Sequence, residues 1–152
     1  METIVIYDSA FGNTEQIAQA IGKAIQSEVK VVRPGSLNLS AMTTPDLLIV
    51  GSPTQGGRPL KVIQDMLATM PESIVKGTNT AAFDTRLTSR MVVIFGYAAP
   101  KIAKNLEGRG GKLVVPPEGF FVKGSKGPLK EGELERAGAW AKAIQNSIKI
   151  KQ

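Results

Sequence analysis

The sequence predicts an α/β fold: a five-stranded, parallel, doubly wound sheet with helices on both faces. Apolar runs of strand length alternate along the chain with segments of helical periodicity, the pattern of βαβ crossovers. One run, Asp46-Leu47-Leu48-Ile49-Val50-Gly51, is apolar throughout between turn signals, as a strand buried on both faces must be. Residues 1–152 read as one domain, because no repeat, low-complexity stretch or linker interrupts them.

The first element is the run Ile4–Asp8, followed by a small polar loop containing Gly12. Ile17, Ala18, Ile21, Ala24 and Ile25 then recur at helical spacing, with Asn13 or Thr14 as N-cap. Val29–Arg33 reads as strand two, stopped by Pro34-Gly35, and residues 36–45 as loop with at most a short helical turn. After strand three, Pro53–Pro59 form a loop and Leu60–Met70 a helix, with apolar residues at Val62, Ile63, Met66, Leu67 and Met70. Thr78–Asp84 is strand four, its small Ala81-Ala82 pair suited to a covered sheet centre.

The loop after strand four begins at Asp84 and runs to Arg90. Met91–Phe95 is open to three readings: a strand, an apolar loop over the sheet edge, or an exposed apolar surface that meets a ligand or partner. Ala98–Arg109 is a helix ended by Gly110-Gly111. Lys112–Val115 is strand five, halted by Pro116-Pro117 and resumed at Phe120–Val122. Lys130–Ile148 is the last helix, with Leu134, Ala137, Ala141, Ile144 and Ile148 on one stripe.

Composition prunes the chemistry. The chain has no Cys and no His, which removes thiol nucleophiles, disulfides, imidazole bases and the usual transition-metal ligands. Any reaction therefore depends on a bound cofactor or on carboxylates. The net charge is +6, yet the basic residues are scattered and only 5% of residues are aromatic. That pattern suits a solvated basic surface better than a nucleic-acid interface. No apolar run reaches the ~18 residues of a membrane span, and the N-terminus lacks a signal-peptide pattern, so cytoplasmic residence is expected.

In a doubly wound sheet, ligands bind beyond the carboxyl ends of the strands. The loop after strand one, Ser9-Ala10-Phe11-Gly12-Asn13-Thr14, joins a strand to a helix N-terminus, which suits an anion. No Lys or Arg precedes Lys23, so the loop lacks the lysine a triphosphate requires and is suited to one phosphate group held by neutral donors. The loop after strand three, Gly51–Pro59, contains two Gly and two Pro and is longer than a bare connection needs. Its exposed backbone suits a flat polar ligand.

Ser9-x-x-Gly12-Asn13-Thr14, Ser52-Pro53-Thr54-x-Gly56 and a loop beginning at Asp84, at successive strand ends, together resemble the flavodoxin family. The resemblance covers essentially the whole chain and is closest to the short-chain branch. It implies a non-covalent FMN, its phosphate on the Ser9, Asn13 and Thr14 side chains and on the amides around Ala10, Phe11 and Gly12. It places the ring between the second and third loops, near Pro53, Thr54, Gln55, Gly56, Asp84, Thr85 and Arg86. A peptide in the second loop would reorient on reduction, with Gly56 or Gly57 permitting the change.

Departures from the family also show. Phe11 stands where the family carries a hydroxyl, and no Trp or Tyr lies in the second or third loop; Tyr97, Phe95 or a Met would have to stack instead. The chain is basic where carriers of the family are acidic. Arg86 or Arg58 beside the reduced cofactor would make its second-electron potential less negative. The resemblance implies an electron carrier between redox partner proteins, acidic ones among the candidates, with the oligomeric state open. An FMN-dependent NAD(P)H:quinone-type reductase and a non-catalytic scaffold are the alternatives. A phosphate-accepting signalling domain lacks its acidic cluster here: Asp8 stands alone after strand one.

Overall fold

The computed structural model describes residues 1–88 and 95–151. In chain order they form β1 (Glu2–Tyr7), α1 (Asn13–Ala24), β2 (Glu28–Val32), β3 (Leu47–Pro53), α2 (Lys61–Thr69), α3 (Glu72–Val75), β4 (Asn79–Arg86), α4 (Ala98–Gly108), β5 (Lys112–Leu113), β6 (Glu118–Phe121) and α5 (Glu133–Lys151). Short 3₁₀ turns at Pro34–Ser36 and Leu39–Ala41 fill the connection between β2 and β3. Met91–Ile94, the greater part of the segment with three open readings, lies outside the described residues.

All strand pairs in the sheet are parallel, in the order β2-β1-β3-β4, with β5 and β6 both lying along β4. Strand five is thus one edge strand in two pieces. Lys112-Leu113 pairs with Asn79-Thr80, and Glu118–Phe121 pairs with Phe83–Arg86. Pro116 and Pro117, lacking N–H groups, interrupt the ladder between them.

Alternation along β3 divides the core. Leu47 and Ile49 face a layer with Ile17, Ile21, Ala137 and Ile144, which α1 and α5 supply. Leu48 and Val50 face the opposite layer, with Ile63, Leu67, Val75 and Ile102 from α2, α3 and α4. Both faces of the sheet are covered, as the unbroken apolar run requires. Trp140 belongs to the first layer, in edge-to-face contact with Phe83 and Phe120 at centroid distances of 6.0 Å each. This places Trp140 in the core, remote from any ligand face.

Two element ends and one buried position differ from expectation, each for a physical reason. β4 continues through Asp84, Thr85 and Arg86, because Asp84 and Arg86 pair with each other and Thr85 shares a hydrogen bond with Thr14 of α1. The N-cap of α1 is Gly12, at φ 96°, so neither Asn13 nor Thr14 caps it. Leu134 is exposed at 42%, and Glu133 takes the inward place in the first turn of α5. Glu133 accepts the Phe121 N–H at 2.7 Å and pairs with Arg136 at 2.6 Å.

Gly51 lies so close to Phe83 that a Cβ there would fall inside the aromatic ring. Gly51→Ala should therefore destabilise the fold by about 2 kcal/mol, read as a lower urea midpoint at unchanged slope. Arg136 hydrogen bonding holds the Glu133 carboxyl below its ordinary value. A depressed carboxyl stabilises the fold above its unfolded pKa, and that contribution is lost as pH falls through the folded one. Acid titration of Glu133→Gln should accordingly show a shallower loss of stability below about pH 4.5; an acid limb as steep as the parent's would contradict this.

Candidate functional site

Strands β1, β3 and β4 end at one edge of the sheet, and their loops meet there. In the first loop, Ser9 Oγ accepts the Gly12 N–H at 3.0 Å, which tightens the turn. With no side-chain cap on α1, the N–H groups of Asn13, Thr14 and Glu15 have no intrahelical partner and point out of the helix end. The Thr14 and Thr85 hydroxyls share a buried hydrogen bond at 2.8 Å, so the first loop is tied to the end of β4. Asn13 is buried against Gly127, at φ 105°, where any Cβ would overlap the Asn13 amide.

A cation does reach this loop, from the residue that follows β2 rather than from the loop itself. Arg33 pairs with Asp8, lies 3.2 Å from Glu15 Oε2 and bonds the Ser9 carbonyl at 3.4 Å. Tyr7 donates its hydroxyl to Glu15 at 2.8 Å. The Tyr7 hydroxyl, and after it Arg33, hold the Glu15 carboxyl below its usual range, while burial and the Glu15 bond push the Tyr7 phenol up. Two carboxylates share one guanidinium, so the loop gains a brace and no net positive charge.

The second loop is a tight structure. Ser52 Oγ accepts the Leu60 N–H at 2.8 Å and donates to the Pro53 carbonyl at 2.9 Å, closing the segment at its base. Gln55 and Arg58 exchange two backbone hydrogen bonds at 2.9 and 3.0 Å. Gly56 and Gly57 between them sit at φ 58° and 76°, a two-residue turn that only such permissive residues make cheaply. Gly57 has a second reason to be glycine: a Cβ would strike the Phe95 carbonyl. Lys101 Nζ bonds both the Gly57 and Phe95 carbonyls, at 2.5 and 3.1 Å.

Between these loops lies a cavity of about 340 Å³, within the range of small-molecule sites. From the first loop Ser9, Ala10, Phe11, Asn13 and Thr14 line it, and from the second Pro53, Thr54, Gln55 and Gly56. Thr85, Arg86 and Leu87 line it from the end of β4. Of the residues expected from sequence, Gly12 and Asp84 do not line it. Gly12 shapes the turn from behind, and Asp84 is fully buried, bonded to Arg86 at 2.7 and 2.8 Å.

Val122 and Ser125 complete the lining and were not anticipated. They follow β6, whose carboxyl end lies at the same edge. The signal available was the turn sequence Gly124-x-x-Gly127-Pro128 directly after the resumed fifth strand. Tyr97 is held in another contact, its ring 3.6 Å from the Arg86 guanidinium carbon. Phe11, 54% exposed and 5.8 Å from Lys126 Nζ, is the aromatic side chain that lines the cavity. Arg86 does not present the full charge that the sequence suggested, since Asp84 pairs with it. Among the described residues there is no cluster of metal-binding side chains and no helix long and apolar enough to cross a membrane.

The family model for the flavodoxin domain matches residues 4–100. The type A flavoprotein fprA of Rhodobacter capsulatus is 31% identical over an alignment of 139 residues that covers 85% of this chain and 30% of that protein. The chain thus spans under a third of the length of the curated relative it matches. Among solved structures, a flavodoxin from the domain Archaea superposes with a TM-score of 0.81 at 24% identity over the whole of both chains. Flavodoxin 1 of Bacillus cereus gives 0.77 at 20%, covering 96% of this chain and 98% of that one. The rubredoxin oxygen:oxidoreductase of Desulfovibrio gigas also gives 0.77, at 21% identity over 99% of this chain and 36% of that one. These superpositions establish the fold, and the match across residues 4–100 establishes the lineage: the chain belongs to the flavodoxin family, whose members bind FMN and transfer electrons.

Proposed function

We propose that the chain holds FMN across the cavity at the ends of β1, β3 and β4 and passes electrons between redox partner proteins. The observation that carries this reading is the convergence of an uncapped helix start and neutral hydroxyls on one cavity, lined by no carboxylate among the described residues. Ser9 Oγ already accepts the Gly12 N–H, so its own proton is available to a phosphate oxygen. Thr14 and Thr85 share one hydrogen bond between two hydroxyls, which leaves one hydroxyl proton for the ligand. The helix-end amides supply the remaining donors and the positive end of the α1 dipole.

Thr54, Gln55, Gly56 and Arg86 offer polar groups to a ring, while Leu87 and Val122 exclude water from the cavity wall. FMN, when bound, supplies the redox chemistry itself. The protein then has only to bind it, shield it and set its potential. The carrier reading needs no proton-transferring side chain, which agrees with a chain free of His and Cys.

The reductase reading rests on one observation: Tyr97 is stacked on Arg86, so it does not cover the cavity. An uncovered ring face would admit a nicotinamide or a quinone. Steady-state NAD(P)H oxidation in the presence of a quinone separates the two readings, and the carrier reading expects none above the rate of free FMN.

The partner is an acidic protein surface. Arg58 in the second loop, Lys101 bonded to the Gly57 carbonyl, Lys123 next to Val122 and Lys126 near Phe11 form an exposed basic rim, and none pairs with a carboxylate among the described residues. Such a rim steers anions and repels cations, in proportion to the Debye length. Oxidation of the reduced protein by ferricyanide should slow as salt is raised, whereas tris(phenanthroline)cobalt(III) should speed up. Lys123→Glu with Lys126→Glu should weaken both trends, and salt-independent rates would remove the argument for an acidic partner.

Phe11 offers no hydroxyl to the phosphate, and a hydrogen bond to a charged group contributes about 1.5–3 kcal/mol. Phe11→Thr should tighten FMN binding roughly ten- to a hundred-fold, measured by quenching of flavin fluorescence on titration with apoprotein. Equal or weaker binding would mean that the aromatic side chain itself holds the cofactor.

A further inference from the structure

Asp84 is a fully buried carboxylate at the end of β4, one residue from the cavity wall, and the proposed electron transfer makes no use of it. Its oxygens accept three N–H groups. Arg86 gives Nε at 2.7 Å and Nη2 at 2.8 Å, a two-pronged contact, and Ala99 gives its backbone N–H from the first turn of α4 at 2.9 Å. The Arg86 side chain is only 15% exposed and lines the cavity.

Two further residues fix the same guanidinium. The Tyr97 ring lies 3.6 Å from its central carbon. On β6, Gly119 is the register partner of Asp84, and any Cβ there would fall onto the Arg86 Nε and Cζ atoms. Three residues therefore hold one cation against the site, and Ala99 fixes the carboxylate that pairs with it. A planar, forked group held by a bidentate carboxylate loses most of its freedom. The paired carboxylate also offsets its charge, so the cavity meets a fixed dipole rather than a full positive charge.

We propose, on the reading that FMN occupies this cavity, that Asp84 is a positioning residue: it fixes Arg86 beside the cofactor and masks most of its charge, setting the potential lower than a lone arginine would. Removing the carboxylate unmasks a cation and favours the more negative, reduced cofactor. Removing the guanidinium takes away the positive end of this dipole, the end that lines the cavity, and disfavours the reduced cofactor. The two substitutions therefore act with opposite signs, which a general loosening of the site does not produce.

Potentiometric titration of the FMN-loaded protein tests this, with the FMN dissociation constant measured alongside by fluorescence quenching. Asp84→Asn should favour the reduced form about tenfold at a given poise, an upward shift of about 59 mV in a one-electron couple. Arg86→Met should shift the potential downward, and the double variant should return to within threefold of the parent. If Asp84→Asn does not fold, the downward shift of Arg86→Met carries the test. Shifts of the same sign, or unshifted potentials with FMN still bound, overturn the proposal. Failure of the parent protein to quench FMN fluorescence overturns the cofactor reading and this inference with it.

Discussion

The site depends first on the parallel register of β1, β3 and β4. Tyr7 lies opposite Gly51, and Pro53 opposite Thr85, so three strands deliver their loops at one level. That register is held where the sheet is most tightly packed. Gly51 admits the Phe83 ring, which contacts Phe120 and Trp140 in turn. A sheet buried on both faces cannot slip, because the alternate residues of β3 belong to different cores. The Thr14–Thr85 bond then sets the distance between the first and third loops. Local loop chemistry acts on a frame that the core has already placed.

The same edge shows a consistent use of charge. Among the described residues, Arg33 beside the first loop is braced by Asp8 and Glu15, and Arg86 in the cavity wall by Asp84. Cations without a carboxylate partner among the described residues are exposed at Arg58, Lys101, Lys123 and Lys126. Interactions close to the bound group are therefore those of dipoles and hydrogen bonds, which salt screens weakly. Those with approaching molecules act through solvent and are screened within roughly 10 Å. One basic chain can thus separate the tuning of its cofactor from the selection of its partner.

Much of this was legible in the sequence, and the rest was hidden for identifiable reasons. Periodicity located the sheet, the helices and the interrupted fifth strand, because burial on two faces leaves a strong apolar signature. The first two loops were legible from their Gly, Pro and hydroxyl content. The polar end of β4 was not: Asp84, Thr85 and Arg86 look like loop residues until their partners across the fold are known. Leu134 misled because helical spacing alone cannot tell that Glu133, bound to Phe121 and Arg136, takes the inner position. The lining by Val122 and Ser125 depends on where a turn folds back, which spacing does not encode. The braces from Arg33 and Tyr97 are likewise contacts between residues far apart in the chain.

The broken fifth strand has a consequence for how the molecule meets copies of itself. An uninterrupted outer strand would present a row of unpaired amides and carbonyls, a template for another chain. Here that border is a two-residue piece and a four-residue piece, separated by prolines that cannot donate. The opposite border, β2, carries exposed Glu28 and Lys30 along its short length. Both rims of the sheet therefore resist intermolecular strand addition, so a chain rich in Val and Ile can remain dispersed at the concentrations an electron carrier needs.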